Sequence, residues 1–139
     1  MKKIFKIGFL TFLMLTPLHA QNQYLQEGIN LFKNKKFEEA KFKFEKDIVF
    51  NPKSELSYLY LSKIFKNLNK KNLQEQNLNT VILLNPENEE AILNLAKLKL
   101  ESSDYKKSKE LNARLNSFCR KFCNESKKLE IEIENLSKK

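Results

Sequence analysis

Ile48-Val49-Phe50-Asn51-Pro52 returns as Ile82-Leu83-Leu84-Asn85-Pro86, and the two prolines lie 34 residues apart. An apolar run stopped by Asn-Pro at that interval marks a repeated pair of helices, each second helix ending where proline disfavours the helical state of the residue before it. On the same register Tyr24, Tyr58 and Ile92 fall in one column, Gly28, Ser62 and Ala96 in a second, and Phe37, Lys71 and Tyr105 in a third. The second column matters most. Two helices cross closely only where one presents little side chain, so Gly28, Ser62 and Ala96 mark the crossing in each unit, faced by Ala40, Gln74 and Ser108. A plain helical bundle with a coincidental period is the alternative.

Composition agrees. The 139 residues leave room for one domain of modest core, which excludes a two-domain enzyme. Hydrophobic residues make up 41% and charged residues 31%, the balance of a globular chain. Two glycines and three prolines are too few for an all-β fold and leave no material for a glycine-rich phosphate loop. The expected class is all-α.

Residues 1–20 read as a secretory leader. Lys2 and Lys3 form its positive start, Ile7 to Leu15 its apolar run, and Pro17-Leu18-His19-Ala20 its exit before polar Gln21-Asn22-Gln23. The apolar run is about half of the roughly 20 residues a membrane-spanning helix needs. An uncleaved anchor is the competing reading, because Leu18 is larger than the usual residue three before a cut; no cysteine follows the cut, which excludes a lipid anchor there. The expected location is periplasmic or secreted. Cleavage removes His19, Gly8, Met1 and Met14, so the mature chain keeps no histidine and only Gly28. Imidazole metal sites and Ser-His or Cys-His hydrolases then lack their central residue, and no metal or cofactor is expected. The leader holds three lysines and no acid, so its loss takes the formal charge from +9 to +6. Only Arg114 and Arg120 are arginine. Nucleic-acid surfaces favour arginine forks beside lysines, whereas lysine and asparagine excess together reads as codon bias.

The sequence resembles the tetratricopeptide repeat family over about Gln21 to Phe118. The resemblance is carried by Tyr24, Gly28, Leu31, Phe37, Ala40, Phe44 and Pro52 in a first repeat, residues 21–54. It continues with Tyr58, Leu61, Ser62, Phe65, Leu78, Val81 and Pro86 in residues 55–88, and Leu95, Ala96, Tyr105 and Leu115 in residues 89–118. Glu27, Asp47, Lys71, Gln74 and Asn112 depart from it, standing where the family prefers apolar or small residues. The resemblance implies a right-handed α-solenoid of about three helix-turn-helix repeats that binds segments of other proteins.

First helices are expected near Asn22 to Asn34, Glu55 to Leu68 and Glu89 to Glu101. Second helices are expected near Phe37 to Phe50, Asn72 to Leu84 and Asp104 to Phe118. Asn34, Asn69 and Ser102-Ser103 supply the turns between them. A solenoid exposes its last apolar face unless something covers it. Within residues 119–139, Leu129, Ile133 and Leu136 recur at four and three residues, which predicts a C-terminal capping helix. Leu-Glu-Ile-Glu-Ile-Glu also alternates as a strand would, but a lone strand has no sheet to join.

A second stripe on each first helix is expected to face the groove that stacking creates. It comprises Leu25, Ile29 and Phe32 in the first repeat, Leu59, Lys63 and Lys66 in the second, and Leu93, Lys97 and Leu100 in the third. Such a wall, apolar at one end and lysine-bearing in the middle, suits an acidic or carboxylate-ended segment with apolar anchors. In the competing reading the apolar members are core and the lysines only solvate the surface. The family's best-known grip, a lysine, asparagine and arginine clamp on a chaperone's terminal carboxylate, needs polar residues where this chain has Leu25, Ile29 and Tyr60. Chaperone-tail binding is therefore not expected.

Cys119 and Cys123 are the only cysteines. In an exported chain a matched pair predicts a structural disulfide, worth roughly 2 kcal/mol for so short a loop. Free or intermolecular thiols, and a redox-active pair, are the alternatives; against the last, three residues separate the thiols where the familiar redox spacing has two. Glu38-Glu39 and Glu89-Glu90 sit at helix starts, where the macrodipole favours them, and assemble no catalytic pair. The expectation is a non-catalytic scaffold that binds another protein of the bacterial cell envelope in its concave face, with no small-molecule substrate. A lysine-rich module for DNA or anionic wall polymer is the rival from another class, and a thiol oxidoreductase the third.

Overall fold

The computed structural model describes the backbone of residues 18–138 and the side chains from Gln23 onward. These residues form seven helices and no strand: α1 Leu18–Lys33, α2 Phe37–Phe50, α3 Glu55–Asn67, α4 Lys71–Leu84, α5 Glu89–Glu101, α6 Tyr105–Asn116 and α7 Cys123–Ser137. The expected leader lies outside the described residues up to position 17, and α1 begins at Leu18, four residues before its expected start. Among the described residues no helix is long and apolar enough to cross a membrane.

The 34-residue period is written in the backbone. Lys35, Asn69 and Ser103 have φ of 61°, 53° and 61°, the left-handed region that side chains disfavour, and each closes the first helix of a pair. The bonding around them repeats. Lys35, Asn69 and Ser103 donate to Phe32, Lys66 and Leu100, while the following Lys36, Lys70 and Asp104 donate to Leu31, Phe65 and Lys99, at 2.9 to 3.1 Å. In the first turn the left-handed residue is Lys35, next to the expected Asn34.

The second helices stop as their prolines require. Asn51 and Asn85 leave the helical region at φ/ψ of −132°/79° and −138°/93°, while their amides still bond Asp47 and Val81. Asn88 then caps α5 through the Ala91 amide at 2.8 Å, and Asp104 caps α6 through the Lys107 amide at 3.1 Å. With Asp104 outside as the cap, α6 runs only to Asn116 and is shorter than its expected span.

The chain divides into two compact units, one ending at Pro52 and the other beginning at Lys53. In the first, α1 and α2 cross at Gly28. A Cβ there would stand 2.7 Å from Phe44 Cε1, so glycine is what admits the buried Phe44 ring. Tyr24 stacks on Phe50 at 5.6 Å, and Glu27 meets Lys43 at 2.5 Å across the helix pair.

In the second unit α3 packs on α4, α4 on α5, α5 on α6, and α6 on α7. Ser62 and Ala96 are buried at the positions equivalent to Gly28, and Gln74 and Ser108 of the second helices are buried as well. Ser108 Oγ donates to the Ala96 carbonyl at 2.8 Å, so the small pair also satisfies a buried hydroxyl. The core runs from Leu59 through Ile92, Leu98 and Leu115 to Leu129 and Ile133 of α7. Residues 123–137 are thus a helix whose stripe covers the last pair, and the strand alternative is set aside. Asn112 finds its partner there: its amide donates to the Ser126 carbonyl at 3.0 Å, and Ser126 Oγ donates back at 2.7 Å.

Candidate binding faces

The first unit offers a stripe on α1. Leu25, Ile29 and Phe32 share one side of the helix and are each half-buried. Phe32 rests edge-on against Phe37 at 5.5 Å, tying the end of the stripe to the turn. These side chains are neither sealed in a core nor free of neighbours, as side chains that line a shallow surface are.

In the second unit the expected leucines are not surface residues. Leu59 and Leu100 are 4% and 6% exposed and belong to the core, as does Leu93 at 3%. They share one cluster with Leu78 and Val81 of α4 and Leu111 and Leu115 of α6, so stacking consumes the apolar members of the stripe. The lysines remain outside. Lys63 is half-buried, with its ammonium 2.7 Å from Glu90 and 5.0 Å from the Tyr60 ring centroid. Lys66 is exposed and Lys97 half-buried, and neither forms an ion pair among the described residues.

This face therefore carries both signs of charge: Glu90, expected only as a helix-start carboxylate, pairs with Lys63 of α3. A signal existed. Glu90 precedes Lys97 by seven residues, two helical turns, and so shares its side of α5.

A different pair of carboxylates fastens the corners that close the second and third repeats. Glu55 accepts from the Asn85 amide group at 3.1 Å and from Asn88. Glu89 Oε1 accepts from the Arg120 backbone N–H, and Oε2 from those of Lys121 and Phe122, all at 2.9 Å. The Phe122 amide, with those of Lys121 and Arg120, holds the Glu89 carboxyl below its ordinary range. The donors span the segment between Cys119 and Cys123, whose sulfurs stand within bonding distance and whose Cα atoms are 5.4 Å apart. Residues 117–122 are not helical, so the two cysteines do not sit on one continuous helix, where four-residue spacing would suit a disulfide poorly.

Among the described residues no group of three or more His, Cys, Asp or Glu is placed to hold a metal. A shallow, open depression is lined by Asn72, Glu75, Asn79 and Leu83 of α4. What the arrangement supplies is surface.

No protein-family model matches the sequence, and no curated protein matches it. Solved structures do. The Arabidopsis OM64 TPR domain superposes with a TM-score of 0.76 at 17% identity, over 86% of this chain and 98% of that one. The first TPR of Spaghetti (RPAP3), bound to the HSP90 peptide SRMEEVD, gives 0.72 at 17% identity over 84% and 94%. The Yersinia enterocolitica type III secretion chaperone SycD, in complex with a peptide of the translocator YopD, gives 0.76 at 14% over 87% and 96%. With helix pairs closing every 34 residues and this likeness along most of its length, the chain has the all-α repeat-solenoid fold of tetratricopeptide-repeat domains, completed by a C-terminal helix.

Proposed function

We propose that this chain is a non-catalytic adaptor that holds an extended segment of another protein, and that both work in the bacterial cell envelope. Two structures with this fold carry peptides, from HSP90 and YopD, which supports a protein segment as the ligand class. The observation that carries the reading is Lys66 and Lys97, carried by helices α3 and α5 of the second unit yet without ion-pair partners among the described residues. An acidic segment satisfies them. On the first unit, Leu25, Ile29 and Phe32 of α1 suit apolar side chains of a protein ligand. The envelope setting rests on the leader-like residues 1–20.

The test places a photo-crosslinking side chain at Ile29 or at Lys97 in the native cell and identifies what is captured. One envelope protein, caught from both positions and retained through a high-salt wash, supports the adaptor. Capture of nucleic acid or wall polymer alone, lost steeply as salt rises, overturns it in favour of the polyanion module.

A further inference from the structure

The segment between the two cysteines has a property that neither the core nor the binding faces explain. Three residues separate Cys119 from Cys123, and the backbone N–H groups of all three point at one carboxylate, Glu89, on α5. Successive amides converge in this way only when the backbone is held in a concave turn, which a free chain samples rarely. The turn leads directly into α7, whose first residue is Cys123, and α7 buries Leu129 and Ile133 over the third repeat.

We propose that Cys119 and Cys123 form a disulfide that acts as a redox latch on the C-terminal helix, holding Arg120, Lys121 and Phe122 in the shape in which all three amides reach Glu89. The chemistry is ordinary thiol–disulfide exchange. A dithiol reductant gives up two electrons and two protons; the Cys119–Cys123 bond breaks to two thiols, and the reductant closes to its own disulfide. With the ring open, the three amides no longer converge and the clasp on Glu89 disperses.

Loosening is confined to the start of α7. Ser126 stays bonded to Asn112 at 2.7 Å and to Asn116 at 2.6 Å, and Leu129 and Ile133 stay in the core, so the rest of the helix remains seated. Reduction thus frees the 120–122 turn and the first turn of α7 without unfolding the repeats. The latch does not depend on what the binding faces hold.

Hydrogen–deuterium exchange on the full chain, oxidised and then treated with a dithiol, tests the latch. Amides 120–122 and the first turn of α7 should exchange about tenfold faster or more after reduction, as loss of charge-assisted hydrogen bonds implies, while α3 is unchanged. E89Q in the oxidised protein should reproduce the faster exchange of the turn, and reduction should then add little. Three results overturn the proposal: thiols that remain alkylatable in air-oxidised protein, exchange unaffected by reduction, or acceleration that extends equally to α3. The wild-type comparison alone suffices if E89Q fails to fold.

Discussion

Glu89 follows Glu55 by 34 residues, and each carboxylate binds the corner that closes its own repeat. Glu55 is held by the side chains of Asn85 and Asn88, whereas Glu89 is held by the backbone of Arg120, Lys121 and Phe122. One position therefore solves one problem with two kinds of donor. Where the corner is Asn-Pro-Glu-Asn, asparagine amides reach the carboxylate; where that motif is missing, the turn between the cysteines supplies bare amides.

The Glu89 clasp sets an acid sensitivity. Its carboxyl, ordinarily near 4.5, is lowered first by the Phe122 amide and then by those of Lys121 and Arg120. A lowered carboxylate contributes stability that is present above its ordinary value and is lost as pH falls through the lowered one. The difference in melting temperature between wild type and E89Q should be largest at neutral pH and shrink below about pH 4.5. A difference independent of pH would mean that the carboxylate charge is not what matters.

Gly28→Ala should destabilise the first unit. Its new Cβ would meet Phe44 at 2.7 and 2.9 Å, within the buried crossing of α1 and α2. Overpacking of this kind costs about 1 to 3 kcal/mol, and G28A with F44L should recover part of it. Thermal melts of the two variants decide, and an unchanged midpoint for G28A would show that the Phe44 ring moves freely.

Lys35→Gly should stabilise the protein. A left-handed lysine costs about 1 to 2 kcal/mol, partly offset by the extra chain freedom that glycine loses on folding, about 0.5 to 1 kcal/mol. Lys35 has φ 61° and an exposed side chain, so little contact is lost. Denaturant unfolding should show a gain of roughly 0.5 to 1 kcal/mol.

The faces separate binding from folding. Ile29→Asp with Phe32→Asp should leave helicity largely intact while partner capture falls, since both side chains are only half-buried. Leu59→Ala or Leu100→Ala should instead cost about 2 to 5 kcal/mol, as buried leucines do. Circular dichroism and crosslinking on the same samples distinguish the outcomes.

Lys97→Glu should melt like wild type and weaken capture of an acidic segment, with less salt dependence than the wild type shows. Capture unaffected by this change would remove Lys97 from the binding face.

Local chain chemistry accounts for what was legible from the residues alone. Helix stripes repeat at three and four residues, proline stops the helix before it, and small residues permit a close crossing; each rule acts over one or two turns. Hence the period, the Asn-Pro stops, the column Gly28, Ser62 and Ala96 and the Leu129–Ile133 stripe of α7 could all be read directly. The fate of a stripe residue is not local. Leu59 and Leu100 carry the same pattern as Leu25 and Ile29, yet they are buried in one core with Leu78 and Val81 of α4 and Leu111 and Leu115 of α6. The bonds from Glu90 to Lys63 and from Glu89 to the 120–122 turn likewise join residues 27 and 31 to 33 apart. The repeat interval says which helices pair, not which side chains meet; only the packed helices bring those charges and amides within bonding distance.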